Sequence, residues 1–324
     1  MQPDVTVRVE SVRSLGQPDL DSVSALAGAA TEADGVAPLG EATVLAMLSG
    51  RDHGSQHLLV LAGSPTQGEP VAGYAYLDAA DPRRPSAELV VHPAWRRHGV
   101  GRLLVEHLQR AVPGDELRVW AHGQLPAAAA LADRLGYRIE RELWQMRRSL
   151  TSPLPGAPVP ADLSLRSFRP GKDDEAWLAL NAAAFAHHPE QGAWTLEDLR
   201  LRMAEPWFDP EGFLLLEEED GTLAGFHWTK VHPADAEGPA AGEVYVVGVA
   251  PSQQGRGLGR ILTVAGLQHL RGRGLPQALL YVDADNAAAV RTYQRLGFTR
   301  SHVDVQYRRE PHCRVPDDGA TIGP

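Results

Sequence analysis

The sequence predicts an α/β fold in which two tandem domains each carry a mixed sheet. A pattern of apolar strand, proline, glycine-rich turn and helix occurs twice, with Pro93 lying 158 positions before Pro251. A second motif, Leu-Gly followed by an aromatic residue, recurs at 135–137 and at 296–298. Four prolines within 151–160 predict a stiff, extended linker between the two copies.

We therefore expect a first domain over 1–150, a linker over 151–160, a second domain over 161–310 and a disordered tail over 311–324. β-branched and aromatic runs predict the strands, and amphipathic spacing predicts the helices. The expected strands lie near 5–12, 57–62, 70–78, 86–91, 116–120, 139–148, 163–168, 212–218, 222–231, 242–249, 277–282 and 302–309. The expected helices lie near 19–33, 41–50, 99–111, 126–135, 173–185, 195–204, 257–273 and 286–296.

Composition limits the classes of function. The formal net charge of −10 argues against nucleic acid and against acidic membrane surfaces as partners. The single cysteine, Cys313, excludes an intramolecular disulfide framework. No apolar run approaches the length that spans a bilayer, and the N-terminus lacks the features of a signal peptide. We expect a cytoplasmic, monomeric protein.

The second copy of the motif predicts an anion-binding turn. Val244–Val249 reads as a strand, in which Gly248 predicts a bulge or the close approach of another backbone. Gln254–Gly259 then forms a glycine-rich turn at a helix N-terminus, where backbone amides favour a phosphate. Arg260 stands where a dinucleotide fingerprint needs glycine, and a P-loop motif does not occur.

The spacing Gln-x-x-Gly-x-Gly resembles the acetyl-CoA pyrophosphate loop of the GCN5-related N-acetyltransferase (GNAT) superfamily. Asn286, Tyr293 and Gly297-Phe298 fall in a pattern similar to the second signature of that superfamily. The resemblance implies two GNAT domains, with acetyl-CoA as acetyl donor and no metal. It also implies that the loop strand separates from its neighbour and exposes backbone groups to the pantetheine arm.

Acetyl transfer to an amine needs a base, a group that polarises the thioester carbonyl, and an acid for the departing thiolate. Glu243, at the start of the strand, is the candidate base, and Tyr293 is the candidate acid. The backbone amide of Val249 is the candidate for the carbonyl. In the first copy, the same offsets place Pro85 and Ala132 at the positions of Glu243 and Tyr293. We therefore expect the first domain to be degenerate, although it could still bind acetyl-CoA.

Six further segments carry a second resemblance: Asp34–Glu41, Ala121–Gly123, Phe185–Gly192, Trp207–Pro210, Gly225–Pro233 and Glu243–Val249. They are similar to the mycothiol synthase family, whose members are tandem GNAT proteins with an active C-terminal half. That family acetylates the cysteinyl amine of cysteinyl-glucosaminyl-inositol, the last step of mycothiol biosynthesis in actinobacteria. The resemblance implies substrate contacts at Glu41, Glu190, Lys230, Glu243 and Tyr281, with Glu41 closing the cleft.

The same resemblance implies cofactor contacts in both halves. In the first half they are Leu89, Val90, Val91, Arg96, Arg97, His98, Gly99, Val100 and Gly101. In the second half they are Val247, Gly248, Val249, Gln254, Gly255, Arg256, Gly257, Leu258, Gly259, Arg260, Asn286, Ala287, Ala288, Ala289, Val290 and Arg291.

Two alternatives remain open at the level of sequence. One is another small-molecule or protein N-terminal acetyltransferase on the same fold. The other is a catalytically silent acyl-CoA-binding sensor, which would tolerate replacement of Glu243 and Tyr293. A metal site is not expected, because His187, His188, His227 and His232 follow no ligand spacing.

Overall fold

The computed structural model describes residues 7–49, 54–63, 70–112, 116–186, 189–234 and 239–309. The chain forms two compact units. Unit 1 comprises Met1–Leu143 and Val303–Pro324, and unit 2 comprises Trp144–His302. These divisions differ from the predicted domains 1–150 and 161–310, because the end of the chain returns to unit 1. Cys313 and the predicted tail lie outside the described residues.

Unit 1 is built on a sheet of strand order β1-β2-β3-β4-β5-β12, to which β12 contributes its part from Val303 onward. The β4–β5 pair is parallel, whereas the β1–β2, β2–β3, β3–β4 and β5–β12 pairs are antiparallel. The strands are β1 (Val7–Val12), β2 (Gln56–Ala62), β3 (Val71–Asp78), β4 (Ser86–Val91), β5 (Arg118–Ala121), β6 (Tyr137–Ser149) and β12 (Thr299–Arg309).

Helices cover the sheet of unit 1. Helix α3 buries Val100, Leu104 and Leu108 on one face, at the spacing of an amphipathic helix, against apolar residues of β2, β3 and β5. Helix α1 packs Val23 and Leu26 against a separate cluster that contains Tyr74 and Tyr76. The helices are α1 (Gln17–Asp34), α2 (Glu41–Ser49), α3 (Val100–Ala111) and α4 (Pro126–Arg134).

Unit 2 repeats this plan with the strand order β6-β11-β10-β9-β8-β7, to which β6 contributes its part from Trp144 onward. The parallel pair is β10–β11, at the place that β4–β5 holds in unit 1. The strands are β7 (Leu163–Ser167), β8 (Phe213–Glu218), β9 (Leu223–His232), β10 (Ala241–Val249) and β11 (Gln277–Asp283). The helices are α5 (Asp174–Ala184), α6 (Pro189–Gly192), α7 (Leu196–Met203), α8 (Leu258–Gly272) and α9 (Ala287–Arg295).

The core of unit 2 is unusually aromatic. Trp177, Phe213, Phe226 and Trp228 are fully buried and contact one another, with the Phe213 and Trp228 rings stacked at a centroid distance of 4.4 Å. Gly248 makes room for this cluster, since a Cβ there would lie 2.5 Å from the ring of Phe226. Gly248 therefore marks a close approach of a side chain, and the bulge of β10 lies elsewhere in the strand.

The predicted linker belongs to unit 2. Residues 153–160 have no regular secondary structure, in keeping with their proline content. Leu154, Ala157 and Val159 nevertheless pack against the apolar clusters that α8 forms with the sheet. The segment is therefore an extended strap held by apolar contacts rather than a free spacer.

The predicted mixed α/β fold is confirmed, and every predicted strand and helix matches an element of the structure within a few residues. The four-residue helix α6 was not predicted, because so short a helix shows no periodicity. None of the helices in the described part of the chain is long and apolar enough to span a bilayer.

Candidate active site

The glycine-rich turn of unit 2 has the geometry of an anion cradle. Gly255 and Gly257 adopt left-handed conformations, with φ of 82° and 78°, which glycine accepts without steric cost. Gly257 caps α8, so the amides of the first turn, which includes Leu258 and Gly259, lack partners within the helix. Backbone N–H groups and the positive end of the helix dipole therefore converge at this turn.

The two arginines of the turn are held by the segment that precedes β7. The Arg256 guanidinium donates to Asp162 Oδ2 at 2.7 Å, and Arg260 donates to the carbonyl of Gly156 at 3.0 Å. Their side chains thus fasten the turn to the segment that precedes β7. The backbone amides, rather than these guanidinium groups, are the donors best placed for a pyrophosphate.

Strands β10 and β11 separate where the resemblance predicts it. Their parallel ladder runs from the Ala241–Gln277 pair to the Val244–Leu280 pair, although β10 continues to Val249. Within the described ladders, the far half of β10 pairs with β9 alone. The edge of Val247–Val249 that faces away from β9 is therefore available to a bound chain, as a pantetheine arm would require.

Glu243 lies on β10 before this separation. It pairs with Lys230 on β9, so both side chains project from the same face of the sheet. The residue is only 5% exposed. Its Oε2 accepts a hydrogen bond from Nε2 of His232 at 2.6 Å. Two residues beyond Lys230 on the same strand, His232 shares that face.

An aromatic-walled cavity opens beside these residues. It has a volume of about 670 Å³. The ammonium of Lys230 stands 4.9 Å from the ring centre of Trp207 and 5.3 Å from that of Tyr245, both within cation–π range. The lining residues are Pro206, Trp207, Phe208, Asp209, Lys230, Val231, His232, Pro233 and Arg273.

Helix α9 carries the candidate acid. Asn286 caps the helix, because its side chain accepts from the amide of Ala289 at 3.1 Å. Tyr293 packs edge-on against Phe298, and burial raises the pKa of its phenol to about 12. The group therefore stays protonated near neutral pH. Tyr281, on β11, is 43% exposed and accepts a hydrogen bond from Gln145 at 2.9 Å.

The equivalent positions in unit 1 follow from the ladders. On β4, Ser86 pairs with Asp78 and with Arg118, just as Glu243 pairs with Lys230 and Leu279. Ser86, rather than the predicted Pro85, is thus the counterpart of Glu243. The shift arises from an extra residue in β10, a bulge between Val244 and Val246 that regular β4 lacks.

The turn of unit 1 has the same backbone conformation as the glycine-rich turn of unit 2, although several of its residues differ. Arg97 has φ of 67°, although its equivalent in unit 2 is Gly255, and Gly99 caps α3 as Gly257 caps α8. Both carboxylate oxygens of Asp34 accept from the Arg96 guanidinium at 2.7 Å. The ladder of β4 with β5 stops at Glu88, so Leu89–Val91 runs beyond it in the same way as Val247–Val249.

A buried charge network lies on β4 of unit 1. The ring of His122 is 3.4 Å from Glu88 and 3.2 Å from Asp304 on β12. Burial alone would lower the pKa of His122, but the neighbouring carboxylates of Asp304 and Glu88 raise the pKa to about 10. Glu88 also accepts from the amide of Gly40 at 2.7 Å, directly before Glu41, the first residue of α2.

Comparisons with known proteins agree with this geometry. Residues 175–298 match the family model for the acetyltransferase (GNAT) family, and residues 54–139 match that for an acetyltransferase (GNAT) domain. Mycothiol acetyltransferase of Thermobispora bispora is 58% identical over 94% of this chain and 100% of its own length. The same-named protein of Thermomonospora curvata is 56% identical over 92% of this chain and 96% of its own.

The chain belongs to the mycothiol acetyltransferase family.

Solved structures share its tandem architecture. A GCN5-related N-acetyltransferase from Sphaerobacter thermophilus superposes with a TM-score of 0.67 at 28% identity, over 96% of this chain and 97% of its own. A tandem GNAT protein from the clavulanic acid biosynthesis pathway gives a TM-score of 0.71 over 94% of this chain and 99% of its own. At 18% identity, that second likeness shows the fold alone.

The structure brings only some of the predicted residues of this family member together. Glu243 and Lys230 share one face of unit 2, whereas Glu41 lies in unit 1. Glu190 lies in α6, and its side chain, like His187 and His188, falls outside the described part. In the ranges that are described, no three potential ligand side chains cluster as a metal site would require.

Sequence reasoning gave no role to His232, Trp207 or Tyr245, which surround Lys230 and Glu243. A signal for His232 was present, since it lies two residues after Lys230 and so on the same strand face. Tyr245 could not have been placed, because it sits at the bulge, where alternation breaks.

Proposed function

We propose that this protein transfers the acetyl group of acetyl-CoA to the cysteinyl amine of cysteinyl-glucosaminyl-inositol, in the last step of mycothiol biosynthesis. The observation that carries the proposal is the buried carboxylate of Glu243, next to the point where β10 leaves β11. Family membership and the GNAT matches support the donor and the acceptor. Unit 2 would perform the chemistry.

In this proposal the glycine turn Gln254–Arg260 and the N-terminus of α8 hold the pyrophosphate, and Val247–Val249 lies along the pantetheine arm. Asn286–Arg291, the start of α9, completes the cofactor site. The amide of Val249 polarises the thioester carbonyl. Leu89–Val91 and Arg96–Gly101 form a second, non-catalytic cofactor site in unit 1.

The chemical steps follow from the side chains. Glu243 takes a proton from the substrate ammonium, because only the neutral amine has the lone pair to attack. The amine then adds to the thioester carbon, a carbon–nitrogen bond forms and the carbon–sulfur bond breaks. Tyr293 donates its proton to the departing sulfur, and the second proton that the nitrogen loses restores the phenol of Tyr293.

The cavity beside Glu243 suits the proposed acceptor. Its wall combines aromatic faces, Trp207 and Phe208, with the charged groups of Lys230 and Asp209. Sugar rings stack on aromatic faces, and their hydroxyls bond to charged groups. The contacts that the family resemblance gives to unit 2 are Glu190, Lys230, Glu243 and Tyr281.

The deciding experiment is mass spectrometry of the product made from acetyl-CoA and cysteinyl-glucosaminyl-inositol. We expect an acetyl group on the cysteinyl nitrogen. Glu243→Gln should lower kcat by about 10²–10⁴-fold, the usual contribution of a general base. Glu175→Gln, which neutralises an exposed carboxylate on α5, is the matched control.

Three results would count against the proposal. Rapid acetylation of a peptide or another amine, with none of this acceptor, would favour a different acetyltransferase. Binding of acetyl-CoA without any turnover would favour a sensor. Full activity of Glu243→Gln would remove Glu243 as the base.

A further inference from the structure

After each turnover, Glu243 must lose the proton that it accepted from the substrate. Conversion of an ammonium to an amide releases two protons from nitrogen, and only one of them ends on the coenzyme A thiol. The other must reach water before Glu243 can act again. A carboxyl group that is 5% exposed has little direct contact with water. The inference rests on the proposed function, since it takes Glu243 as the base.

His232 connects this carboxylate to solvent. Its Nε2 lies 2.6 Å from Oε2 of Glu243, which is within direct hydrogen-bonding distance. The side chain of His232 is 37% exposed, against 7% for that of Glu243. The ring also lines the cavity, so one side chain touches both the buried carboxylate and open space.

We propose that His232 is the proton relay that returns Glu243 to its ionised form after each turnover. The proton moves from Oε2 of Glu243 to Nε2 of His232, which gives a carboxylate and an imidazolium. The imidazolium then releases its Nδ1 proton to water. One proton enters the ring at Nε2 and one leaves it at Nδ1, so the step starts from the Nδ1–H tautomer, in which Nε2 is bare. The hydrogen bond from Nε2–H to the carboxylate is the state directly after the step. Proton exchange with solvent returns the ring to its Nδ1–H tautomer before the next turnover.

Among the lysine, arginine and histidine side chains that line the cavity, the imidazole of His232 is the best suited to relay a proton. Lys230 ends in an ammonium, which donates protons but cannot accept one while charged. Arg273 is permanently charged and bonds to Asp209. Imidazole alone among these groups both accepts and releases a proton near neutral pH, through two separate nitrogen atoms.

The test is the kinetics of His232→Gln, which keeps an amide donor near Glu243 but cannot carry a proton. The relay acts only after Glu243 has accepted a proton from the substrate, so the first acetyl transfer should occur within about twofold of the parent rate. Later turnovers should be at least about tenfold slower, because the loss of a proton-transfer group costs about that much or more. Rapid-quench data should thus show a burst of one product per active site.

Chemical rescue gives a second, independent measurement. His232→Ala leaves space beside Glu243, and added imidazole should raise its steady-state rate in proportion to the concentration of the free base. Imidazole should leave the parent protein and His232→Gln unchanged. The matched control is His302→Gln, which replaces an exposed histidine of β12 and should behave as the parent.

Two outcomes would overturn the relay. An unchanged steady-state rate in both variants would show that the proton leaves by another path. A first turnover slowed as much as later ones, without rescue by imidazole, would show that His232 only orients Glu243. Failure of the proposed function is distinguishable, because Glu243→Gln would then retain activity or the parent would not acetylate the cysteinyl acceptor.

Discussion

At the scale of single residues, burial determines the protonation state of the Tyr293 phenol. Burial raises the pKa of its phenol to about 12, so the hydroxyl is a hydrogen-bond donor throughout the neutral range. Such a weak acid stabilises a departing thiolate mainly by donating a hydrogen bond to it. The proton itself is transferred as the sulfur leaves. Its contribution should therefore appear in the chemical step rather than in binding.

For Tyr293→Phe we expect kcat to fall by about 10- to 100-fold, with little change in the KM for acetyl-CoA. The ring and its contact with Phe298 remain, so the fold should be kept. Since the phenol does not titrate below pH 10, the alkaline limb of the pH–rate profile should stay in place. Steady-state kinetics from pH 6 to 10 measure both quantities. An unchanged kcat would exclude Tyr293 as the acid.

His122 gives a prediction about stability and pH. Its folded-state pKa of about 10 lies above the ordinary value of 6.5, so the bound proton stabilises the folded state. That stabilisation is complete below pH 6.5 and is lost as the pH rises towards 10. At about 1.4 kcal/mol for each unit of pKa difference, the loss should be on the order of 5 kcal/mol.

The measurement is urea unfolding of the parent and of His122→Asn across this pH range. The difference in unfolding free energy between the two proteins should shrink with rising pH, because the variant lacks the titrating group. Asp304 and Glu88 remain in both proteins, which keeps the comparison matched. A constant difference across the range would contradict the protonated state.

At the scale of elements, the two glycine turns provide a natural comparison. Gly255 and Arg97 occupy the same left-handed position in the two units, yet a Cβ at Gly255 would meet no atom within 4 Å. The cost of a side chain there is therefore conformational and not steric. It amounts to about 1 kcal/mol for a non-glycine residue.

Gly255→Ala should lower the midpoint of thermal unfolding by a few degrees and raise the KM for acetyl-CoA several-fold, because a strained turn aims its amides less well. Arg97→Ala is the matched control, since that position already holds a side chain in the same conformation. Calorimetry and steady-state kinetics test the pair. Equal effects in the two variants would show that the glycine is not needed for the conformation of the cradle.

The sequence could predict most of the helices and strands and the glycine-rich turn of unit 2. Glycine, proline and the spacing of apolar residues determine local backbone conformation, so their effects can be read from neighbouring positions. It could not predict the bulge between Val244 and Val246, which makes Ser86 rather than Pro85 the counterpart of Glu243. A bulge changes register between strands, and register depends on both partners. The hydrogen bond between His232 and Glu243 joins residues on neighbouring strands, so it could not be predicted without knowing how β9 and β10 pair.

At the scale of the whole molecule, the sequence predicted two repeats but not the division of the chain between them. Apolar and polar residues alternate in β12 as they do in any half-buried strand, and this pattern does not show which strand lies beside it. Its residues from Val303 onward pair with β5 and bury Val305 and Tyr307 in the core of unit 1. The first repeat is therefore completed by the end of the chain, some 180 residues after β5.

This arrangement predicts that a chain ending at His302 loses the integrity of unit 1. Removal of Val303–Arg309 exposes the edge of β5 and deletes two buried apolar side chains, at a cost of about 2 kcal/mol or more. Hydrogen exchange should show the amides of β5 losing protection, while β8 and β9 of unit 2 keep theirs. A chain ending at Arg309 is the matched control and should retain the protection of both units. If β5 stays protected without these residues, unit 1 would be complete within residues 1–143, as a self-contained repeat would be.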